Sequence, residues 1–213
     1  MRTLVCDIDN TIADARPRLA RSLEAIGRPE LVPTAFNDYG GFEPFVTADE
    51  HRRLFQIFLS ERFMALDEPM PRAAEFLSAW TEQGHRLVYL TGRHDGVGDS
   101  MRAGTESWLR EHGFPSPGEG DIALRMKPRR GVGDSAYKRQ ALAELTADDS
   151  PWAGIGDLPY EGALYGEFGL LPILTAELGL IAVEELAASH PSAVVVHNWA
   201  EVAGQLLLRG DRE

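Results

Sequence analysis

Two aspartates separated by one residue stand near the start of the chain, directly after a short apolar run over residues 3–6. The run is followed by Asp7, Ile8, Asp9, Asn10 and Thr11. Carboxylates at the carboxyl end of a first strand are well placed to share a metal-bound phosphoryl group, because open α/β sheets bind ligands at that edge. The same residue types also favour turns. The motif alone therefore leaves both chemistry and a plain strand-to-turn transition open.

Three further polar clusters fall at the end of a predicted strand or near the start of a predicted helix. They are Thr91 with Gly92 and Arg93, then Lys138, and finally Asp157 with Glu161. Each has a structural explanation by itself, as a turn, a solvated helical lysine or a helix cap. Right-handed crossovers would bring all of them to the sheet edge that carries the first two aspartates. Their joint occurrence in this order favours a functional site.

The elements that would position these clusters alternate between short apolar strands and helical patterns, which predicts a parallel sheet with helical crossovers. Strands rich in Val, Ile and Leu fit a sheet that is buried on both faces. We predict strands over residues 3–7, 87–90, 122–126, 152–156, 170–174 and 194–197. We predict helices from Pro71 to a closing Gly84, from a cap at Asp99 to His112, from a cap at Asp134 through Leu145, and over residues 199–208.

Residues 14–70 interrupt this alternation and contain no evident strand. Helices are predicted near residues 17–26 and 49–63, and Thr47 with Glu50 forms a capping box at the start of the second one. The segment is too long for a simple crossover. We therefore predict a catalytic core of residues 1–13 and 71–213, with a small helical cap of residues 14–70 inserted after the first strand.

Composition narrows the class of protein. A chain of 213 residues with 44% apolar and 25% charged residues fits a globular domain with a modest insertion. The net charge of −12 argues against a general polyanion binder, because such proteins usually carry a basic face. No apolar run suits a signal peptide or a membrane span, and a single cysteine, Cys6, fits core packing in a reducing compartment. We expect a cytoplasmic protein.

In these clusters the chain resembles the haloacid dehalogenase (HAD) superfamily, and within it the phosphatase majority. The resemblance covers roughly residues 1–13 and 71–198, through the motifs CDIDNT, LTGR, AYKRQAL and GDLPYE. It implies an α/β, Rossmann-like core with a mostly parallel sheet. It also implies a Mg²⁺-dependent hydrolase, a phosphomonoesterase that works through a phosphoaspartate.

The resemblance implies a role for each acidic residue. Asp7 would be the nucleophile and Asp9 the general acid and base. Mg²⁺ would be held by Asp7, the backbone carbonyl of Asp9, and Asp157. Glu161 takes the position of a more usual second aspartate, and it ranks below Asp157 because its longer arm would reach the metal through a water.

The remaining motif residues would contact the substrate. Thr91, Gly92 and Lys138 would hold the phosphoryl group, while Arg93, Asn10 and Thr11 would contact the rest of the substrate. Preorganised donors of this kind are typically worth several kcal/mol each in phosphoryl transfer.

The second aspartate favours phosphoryl transfer to water over dehalogenation, which needs no such acid. Asp9 must hold a proton near neutral pH, and we expect the neighbouring carboxylate to raise its pKa. Our hypothesis is that Asp9→Asn leaves metal binding nearly intact but abolishes turnover.

Two substrate classes remain open, a phosphorylated small molecule such as a nucleotide and a nucleic-acid 3′-phosphate end. The region from Arg93 to Leu142 is loosely similar to the phosphatase half of polynucleotide kinase/3′-phosphatase enzymes, although no GxxxxGK[ST] loop of the kinase half occurs. A local basic cluster could bind a second phosphate or a nucleic-acid end, or could be a solvated loop. It comprises Arg125, Lys127, Arg129, Arg130, Lys138 and Arg139.

Two further alternatives concern the cap and the class of protein. Tyr39, Phe42 and Phe45 could stack on bases or pack the small core of the cap. A non-catalytic module that binds a phosphorylated ligand is the second class of hypothesis, and the complete set of acidic residues with Lys138 argues against it. The net negative charge of the chain favours a small-molecule substrate over a nucleic acid. We expect no membrane partner.

Overall fold

The computed structural model describes residues 1–148 and 151–210. Within them, a six-stranded sheet has the strand order β5-β4-β1-β6-β7-β8, and every neighbouring pair is parallel. A separate two-stranded antiparallel ribbon pairs β2 with β3. The strands are β1 (Thr3–Cys6), β2 (Ala13–Asp14), β3 (Glu68–Pro69), β4 (Arg86–His94), β5 (Ile122–Lys127), β6 (Pro151–Gly156), β7 (Leu171–Thr175) and β8 (Val194–Val196).

Helices connect the strands of the main sheet, as parallel pairing requires. They are α1 (Arg16–Ala25), α2 (Val32–Asn37), α3 (Ala48–Phe58), α4 (Ala73–Glu82), α5 (Arg102–Glu111), α6 (Asp134–Asp148), α7 (Pro159–Glu167), α8 (Val183–Ala188) and α9 (Trp199–Gly210). Short 3₁₀ turns cover Pro29–Leu31, Glu43–Phe45 and Glu61–Leu66. None of the described helices combines the length and the apolar character that a membrane span needs. The predicted α/β class with a mostly parallel sheet is confirmed.

The alternation of side chains along β1 explains why its sequence is apolar throughout. Leu4 and Cys6 pack into a large cluster on one face of the sheet, and Val5 packs into a second cluster on the other face. Successive residues of a strand point to opposite faces, so a strand covered on both sides needs an unbroken apolar run. The predicted packing role of Cys6 fits this position, since the residue is fully buried.

The strand order reverses beside β1. From β1 the chain runs outwards through β4 to β5, and it then returns to the other side of β1 to form β6, β7 and β8. A crevice opens at such a reversal, outside the carboxyl ends of the strands. Asp7 follows β1 and Asp157 follows β6, so the topology brings both residues to that crevice.

Residues 14–70 hold α1, α2 and α3 around a small apolar cluster of their own, which includes Leu23, Phe42 and Leu54. The ribbon of β2 and β3 joins the two connections of this segment to the core. Thr47 caps α3, and the capping box with Glu50 is formed as predicted. The division into core and cap stays a prediction, and we use the word cap for residues 14–70 below.

Several element boundaries differ from the sequence prediction. The helix predicted to reach residue 63 ends at Phe58, because Ser60 starts a separate 3₁₀ turn. The strand predicted over residues 87–90 extends to His94. Asp99 does not cap α5, which begins after Met101, and its carboxylate instead lies 2.8 Å from Arg130 Nη2. The ribbon strands and the short helices α2 and α8 were not predicted, because elements this short leave no periodic pattern.

Candidate active site

A cleft of about 420 Å³ lies between the carboxyl edge of the sheet and the cap. Six of the predicted site residues line it: Asp7, Asp9, Asn10, Gly92, Lys138 and Asp157. They come from four separate parts of the chain, and the topology described above brings them together. The cap contributes an apolar wall to the same cleft, with Leu19, Phe42, Phe55 and Phe58.

The loop after β1 is held by its own backbone. The Ile8 carbonyl accepts hydrogen bonds from the amides of Thr11, Ile12 and Ala13, at 2.9–3.2 Å. Asn10 has φ of 58°, a left-handed conformation that asparagine adopts more readily than most residues. Its Oδ1 atom accepts a hydrogen bond from the Ala15 amide. The tight loop keeps the Asp7 and Asp9 carboxylates at the same end of the sheet.

Lys138, on α6, lies between two buried carboxylates. Its Nζ atom is 2.8 Å from Asp7 Oδ1 and 2.5 Å from Glu161 Oε1. Burial by itself lowers the pKa of the Lys138 ammonium, but the charges of Asp7 and Glu161 outweigh burial and raise the pKa above its usual range. Burial also raises the pKa of the Asp7 carboxyl to about 7, against the opposing effect of Lys138. The lysine therefore carries a fixed positive charge beside the proposed nucleophile.

Glu161 has donors at both of its carboxylate oxygens. Oε1 accepts from Lys138, and Oε2 accepts from the backbone amides of Asp157 and Leu158, each at 3.0 Å. Gly156 makes room for this carboxylate, because a Cβ atom there would lie 2.3 Å from Glu161 Oε2. These contacts anchor Glu161 in the turn that begins α7. Its metal role, and its rank below Asp157, stay predictions.

Asp157 is in a different situation. Its carboxylate is buried, and no donor among the described residues forms a hydrogen bond with it. Burial raises the pKa of the Asp157 carboxyl well above its usual range, and the charges of Glu161 and Asp7 add to that effect. A buried carboxylate in this position needs a counter-charge.

The donor set fits a hard divalent cation. One carboxylate oxygen from each of Asp7, Asp157 and Glu161 lies within 4.8 Å of the others. Lys138 contacts Asp7 and Glu161, so within the described part of the chain its one positive charge stands against three carboxyl groups. Oxygen ligands of this type suit Mg²⁺. The residues are therefore compatible with the Mg²⁺ that the resemblance implies.

Asp9 points to two arginines instead of towards the metal ligands. Arg18 Nη2 and Arg93 Nη2 both donate to Asp9 Oδ1, the second of them at 2.7 Å. Burial alone would raise the pKa of Asp9, but the charges and hydrogen bonds of Arg18 and Arg93 outweigh it and hold the pKa well below its usual range. Our expectation of a raised pKa was therefore wrong, because it considered the neighbouring carboxylate and no cations.

The sequence analysis missed Arg18 and Asp67. Asp67 lies in the connection from the cap to the core, and its Oδ1 and Oδ2 atoms are 2.9 Å from Arg18 Nε and 2.8 Å from Arg93 Nη2. All three side chains are almost fully buried. No motif marks either residue, since an arginine within a helix and an aspartate between a 3₁₀ turn and a short strand are ordinary in sequence. They become visible only in the structure, as buried side chains that form ion pairs with each other and with Arg93.

Of four predicted substrate contacts, one lines the cleft and three are buried away from it. Gly92 lines the cleft, where an added Cβ atom would lie 2.6 Å from Asp134 Oδ2. Thr91 is fully buried, and its hydroxyl accepts a hydrogen bond from the Arg93 amide. Thr11 and Arg93 are also fully buried and do not line the cleft, so their substrate role stays a prediction.

The predicted basic cluster is matched by carboxylates. Five of its members have an acidic partner: Arg125 with Glu144, Lys127 with Asp134, Arg130 with Asp99, Lys138 with Asp7 and Glu161, and Arg139 with Glu167. Lys127 and Lys138 are buried as well. Of the aromatic candidates in the cap, Phe42 packs into the cap cluster, while Tyr39 and Phe45 are exposed.

Comparison with known proteins supports the fold. No family model matches the chain. A protein from Bacillus cereus that carries the provisional name nucleotidase is 33% identical over 113 residues, which are 51% of this chain and 58% of that protein. The match therefore spans little more than half of the relative's length.

Solved structures resemble almost the whole chain. A haloacid dehalogenase-like hydrolase from Streptococcus pneumoniae aligns with a TM-score of 0.68 at 15% identity, covering 97% of this chain and 98% of its own. A provisionally named phosphatase from Clostridium difficile gives 0.66 at 17% identity, with 96% and 98% covered. These identities speak for shared architecture alone. The chain has the fold of the haloacid dehalogenase-like hydrolases, as the sequence motifs indicated.

Proposed function

We propose that the protein is a Mg²⁺-dependent phosphomonoesterase that acts through a phosphoaspartate on Asp7, with a phosphorylated small molecule such as a nucleotide as its substrate. The observation that carries the proposal is the contact of Asp7 with Lys138 at the base of the cleft, 2.8 Å apart, with the Asp157 carboxylate beside them. A nucleophilic carboxylate, a fixed cation and a second carboxylate for the metal are what phosphoryl transfer to an aspartate needs.

The reaction has two steps in this proposal. The Asp7 carboxylate forms a bond to phosphorus while the bond from phosphorus to the leaving oxygen breaks, and Asp9 donates a proton to that oxygen. Asp9 must first take up this proton from water, because Arg18 and Arg93 keep it ionised in the free protein. Water then attacks the phosphorus atom, Asp9 takes a proton from it, and the Asp7 carboxylate is restored with release of inorganic phosphate. Splitting the reaction in this way replaces one difficult step by two easier ones.

Charge neutralisation is the main task of the other residues. The approach of a phosphate dianion to Asp7 is repulsive, roughly 3 kcal/mol for two unit charges about 5 Å apart at an effective dielectric constant near 20. Lys138 would offset part of this repulsion through its fixed charge. Mg²⁺ held by Asp7, Asp157 and the Asp9 carbonyl would supply further positive charge to the phosphoryl oxygens. The backbone at Gly92 would complete the phosphate site.

The cleft supports a small organic substrate. Its volume of about 420 Å³ lies within the usual range for small-molecule sites, roughly 300–1,000 Å³. Phe42, Phe55 and Phe58 give it an apolar aromatic wall on the cap side, opposite the acidic residues. A nucleotide suits this arrangement, because its flat base could lie against the aromatic wall while its phosphate faces the acidic residues. The Bacillus cereus relative carries the provisional name nucleotidase, which is consistent with a nucleotide substrate. A cytoplasmic location stays the expectation.

The test is a substrate panel with a matched pair of variants. Purified protein is assayed with and without Mg²⁺ on p-nitrophenyl phosphate, nucleoside monophosphates, sugar phosphates and 3′-phosphorylated oligonucleotides. Asp7→Asn is expected to lower kcat at least about 10³-fold, because it removes the nucleophile. Asp49→Asn, an exposed carboxylate on α3, is the control and should be unchanged.

The outcomes separate the alternatives. Mg²⁺-dependent hydrolysis that favours mononucleotides supports the proposal. A preference for oligonucleotides that falls steeply with salt would replace it with the nucleic-acid reading. No hydrolysis of any ester, together with tight binding of inorganic phosphate, would identify a binding module instead.

A further inference from the structure

Four side chains, three of them buried, form a closed charge network at the junction of the cap and the core. Arg18 belongs to α1 in the cap, Asp67 to the second connection, Arg93 to the end of β4, and Asp9 to the loop after β1. The two carboxylates and the two guanidinium groups balance in charge. Arg18, Asp67 and Arg93 are almost fully buried, whereas the Asp9 side chain is 23% exposed and lines the cleft.

Asp67 is the member of the network that touches both arginines and not the cleft. Its Oδ1 atom lies 2.9 Å from Arg18 Nε, and its Oδ2 atom accepts from Arg93 Nη2 at 2.8 Å. The Asp67 carbonyl accepts a hydrogen bond from Trp108 Nε1 at 2.9 Å, which fixes its backbone. Asp67 is therefore a rigid support for the two guanidinium groups.

Both guanidinium groups in turn hold one oxygen of Asp9. Arg18 Nη2 and Arg93 Nη2 converge on Asp9 Oδ1, and Arg93 Nε also donates to Oδ2 at 3.2 Å. Two further contacts orient the arginines, from Arg18 Nη1 to the Phe58 carbonyl and from Arg93 Nη1 to the Thr105 hydroxyl, both 3.3 Å. The orientation of the Asp9 carboxylate is thus fixed by groups whose own positions depend on Asp67.

We propose that Asp67 is a positioning residue for the phosphomonoesterase reaction, which acts through Arg18 and Arg93 to aim the Asp9 carboxylate at the leaving oxygen. The inference rests on the proposed function and adds to it a residue outside the cleft. Proton transfer requires the acid within hydrogen-bond reach of the oxygen, and a displacement of about 1 Å can cost on the order of 10²-fold in rate.

Asp67→Asn tests this geometry directly. The Asp67 carboxylate accepts a hydrogen bond from Arg93 and forms an ion pair with Arg18, whereas the neutral amide of asparagine has one oxygen and no charge and can hold only one of them. The variant keeps the size and shape of the side chain. One arginine loses its support, and Asp9 loses its fixed orientation.

The readout is the dependence on the leaving group. An alkyl phosphate needs a proton on its leaving oxygen, whereas p-nitrophenolate leaves readily as an anion. We compare kcat/KM for the two esters, because this quantity covers the steps up to departure of the leaving group. In Asp67→Asn the alkyl-to-aryl ratio should fall about tenfold or more. The inhibition constant of inorganic phosphate should stay unchanged.

The matched control is Glu24→Gln, a carboxylate-to-amide change on α1 of the cap that breaks an exposed ion pair with Arg21 without touching the network. It should leave the ratio unchanged. If Asp67→Asn does not fold, Thr105→Val removes one support of Arg93 without changing any charge, and a smaller fall in the same ratio is expected.

Each failure has its own signature. An unchanged ratio in a folded Asp67→Asn, or an equal loss with both esters, would overturn the assignment of Asp67 and leave the proposed function standing. Absence of hydrolysis of both esters by the wild-type protein would refute the proposed function, and the assignment of Asp67 with it.

Discussion

Asp7 and Asp9 are two residues apart in the chain, yet their carboxylates lie in opposite electrostatic environments. Burial raises the pKa of Asp7 to about 7, although Lys138 opposes it. The pKa of Asp9 is lowered, because Arg18 and Arg93 outweigh the effect of burial. Different environments for two neighbouring carboxyl groups are how one site gives them different tasks. In the proposed reaction Asp7 attacks phosphorus and Asp9 handles protons.

The role of Asp9 leads to the first prediction. Asp9→Asn should leave Mg²⁺ affinity nearly unchanged, since the metal would use the Asp9 backbone carbonyl, whereas kcat/KM for an alkyl phosphate should fall about 10²–10⁴-fold. Calorimetric titration with Mg²⁺ and steady-state kinetics measure the two effects. Thermal unfolding checks the fold, because Arg18 and Arg93 lose a counter-charge. A variant with a near-normal rate would contradict the role.

Asp157 and Glu161 are expected to respond in opposite directions to loss of their charge. Without metal, Asp157→Asn should increase the free energy of unfolding at neutral pH, because it removes a buried carboxylate that has acidic neighbours and lacks a hydrogen-bond donor within the described structure. Glu161→Gln should decrease it by about 1–3 kcal/mol, since one of its buried donors loses an acceptor.

Denaturant unfolding of both variants in EDTA and in Mg²⁺ measures this contrast. Stabilisation by Mg²⁺ should disappear in Asp157→Asn, which loses a metal ligand. A Mg²⁺ effect of full size in that variant would exclude Asp157 as a ligand, whatever its effect on the metal-free protein.

At the scale of elements, α3 depends on its first turn. Thr47 accepts a hydrogen bond from the Glu50 amide, and Glu50 Oε2 accepts one from the Thr47 amide, so the capping box satisfies two backbone groups of the helix end. The helix carries Phe55 and Phe58, which form part of the cleft wall. Capping therefore links the stability of the cap to the shape of the site.

Thr47→Ala should lower the free energy of unfolding by about 1 kcal/mol, a typical value for loss of an N-cap. Chemical denaturation followed by circular dichroism gives the number. Thr146→Ala is the control, since Thr146 lies within α6 and its hydroxyl bonds to the carbonyl of Leu142 in the same helix. If both variants behave alike, the loss is a general effect of removing threonine and not of the cap.

For the whole molecule, the sequence was informative where chemistry follows local order. Asp7, Lys138 and Asp157 stand next to strand ends or near a helix start, and right-handed connections between parallel strands bring such positions to one edge. The charge network of Arg18, Asp67 and Arg93 was not predictable in this way. Its members come together only through the folding of the cap onto the core, and no periodicity or motif records that contact. Some predicted helix boundaries were wrong for the same reason. Asp99, predicted to cap α5, instead forms a tertiary ion pair with Arg130.

Buried carboxyl groups should make the stability of the whole molecule depend on pH and on Mg²⁺ together. Burial raises the pKa of Asp7 to about 7 and that of Asp67 to about 6, whereas carboxyl groups of an unfolded chain titrate near 4. The folded state therefore binds more protons than the unfolded state between about pH 4 and pH 7. Stability of the metal-free protein should fall as the pH rises through this window. Asp9 adds no slope there, because its lowered pKa leaves it ionised in both states.

Mg²⁺ should reverse this trend, since it binds the deprotonated carboxylates and stabilises the state that holds them. We expect Tm in EDTA to fall from about pH 5 to about pH 7.5, and the increase in Tm on adding Mg²⁺ to grow over the same range. Differential scanning calorimetry of the wild type and of Asp7→Asn at each pH isolates the contribution of the nucleophile, because the variant lacks the titrating group. Equal Mg²⁺ increments at both pH values would mean that the ion binds away from these carboxylates, and a metal-free Tm that rises with pH would show that they are not protonated in the folded protein.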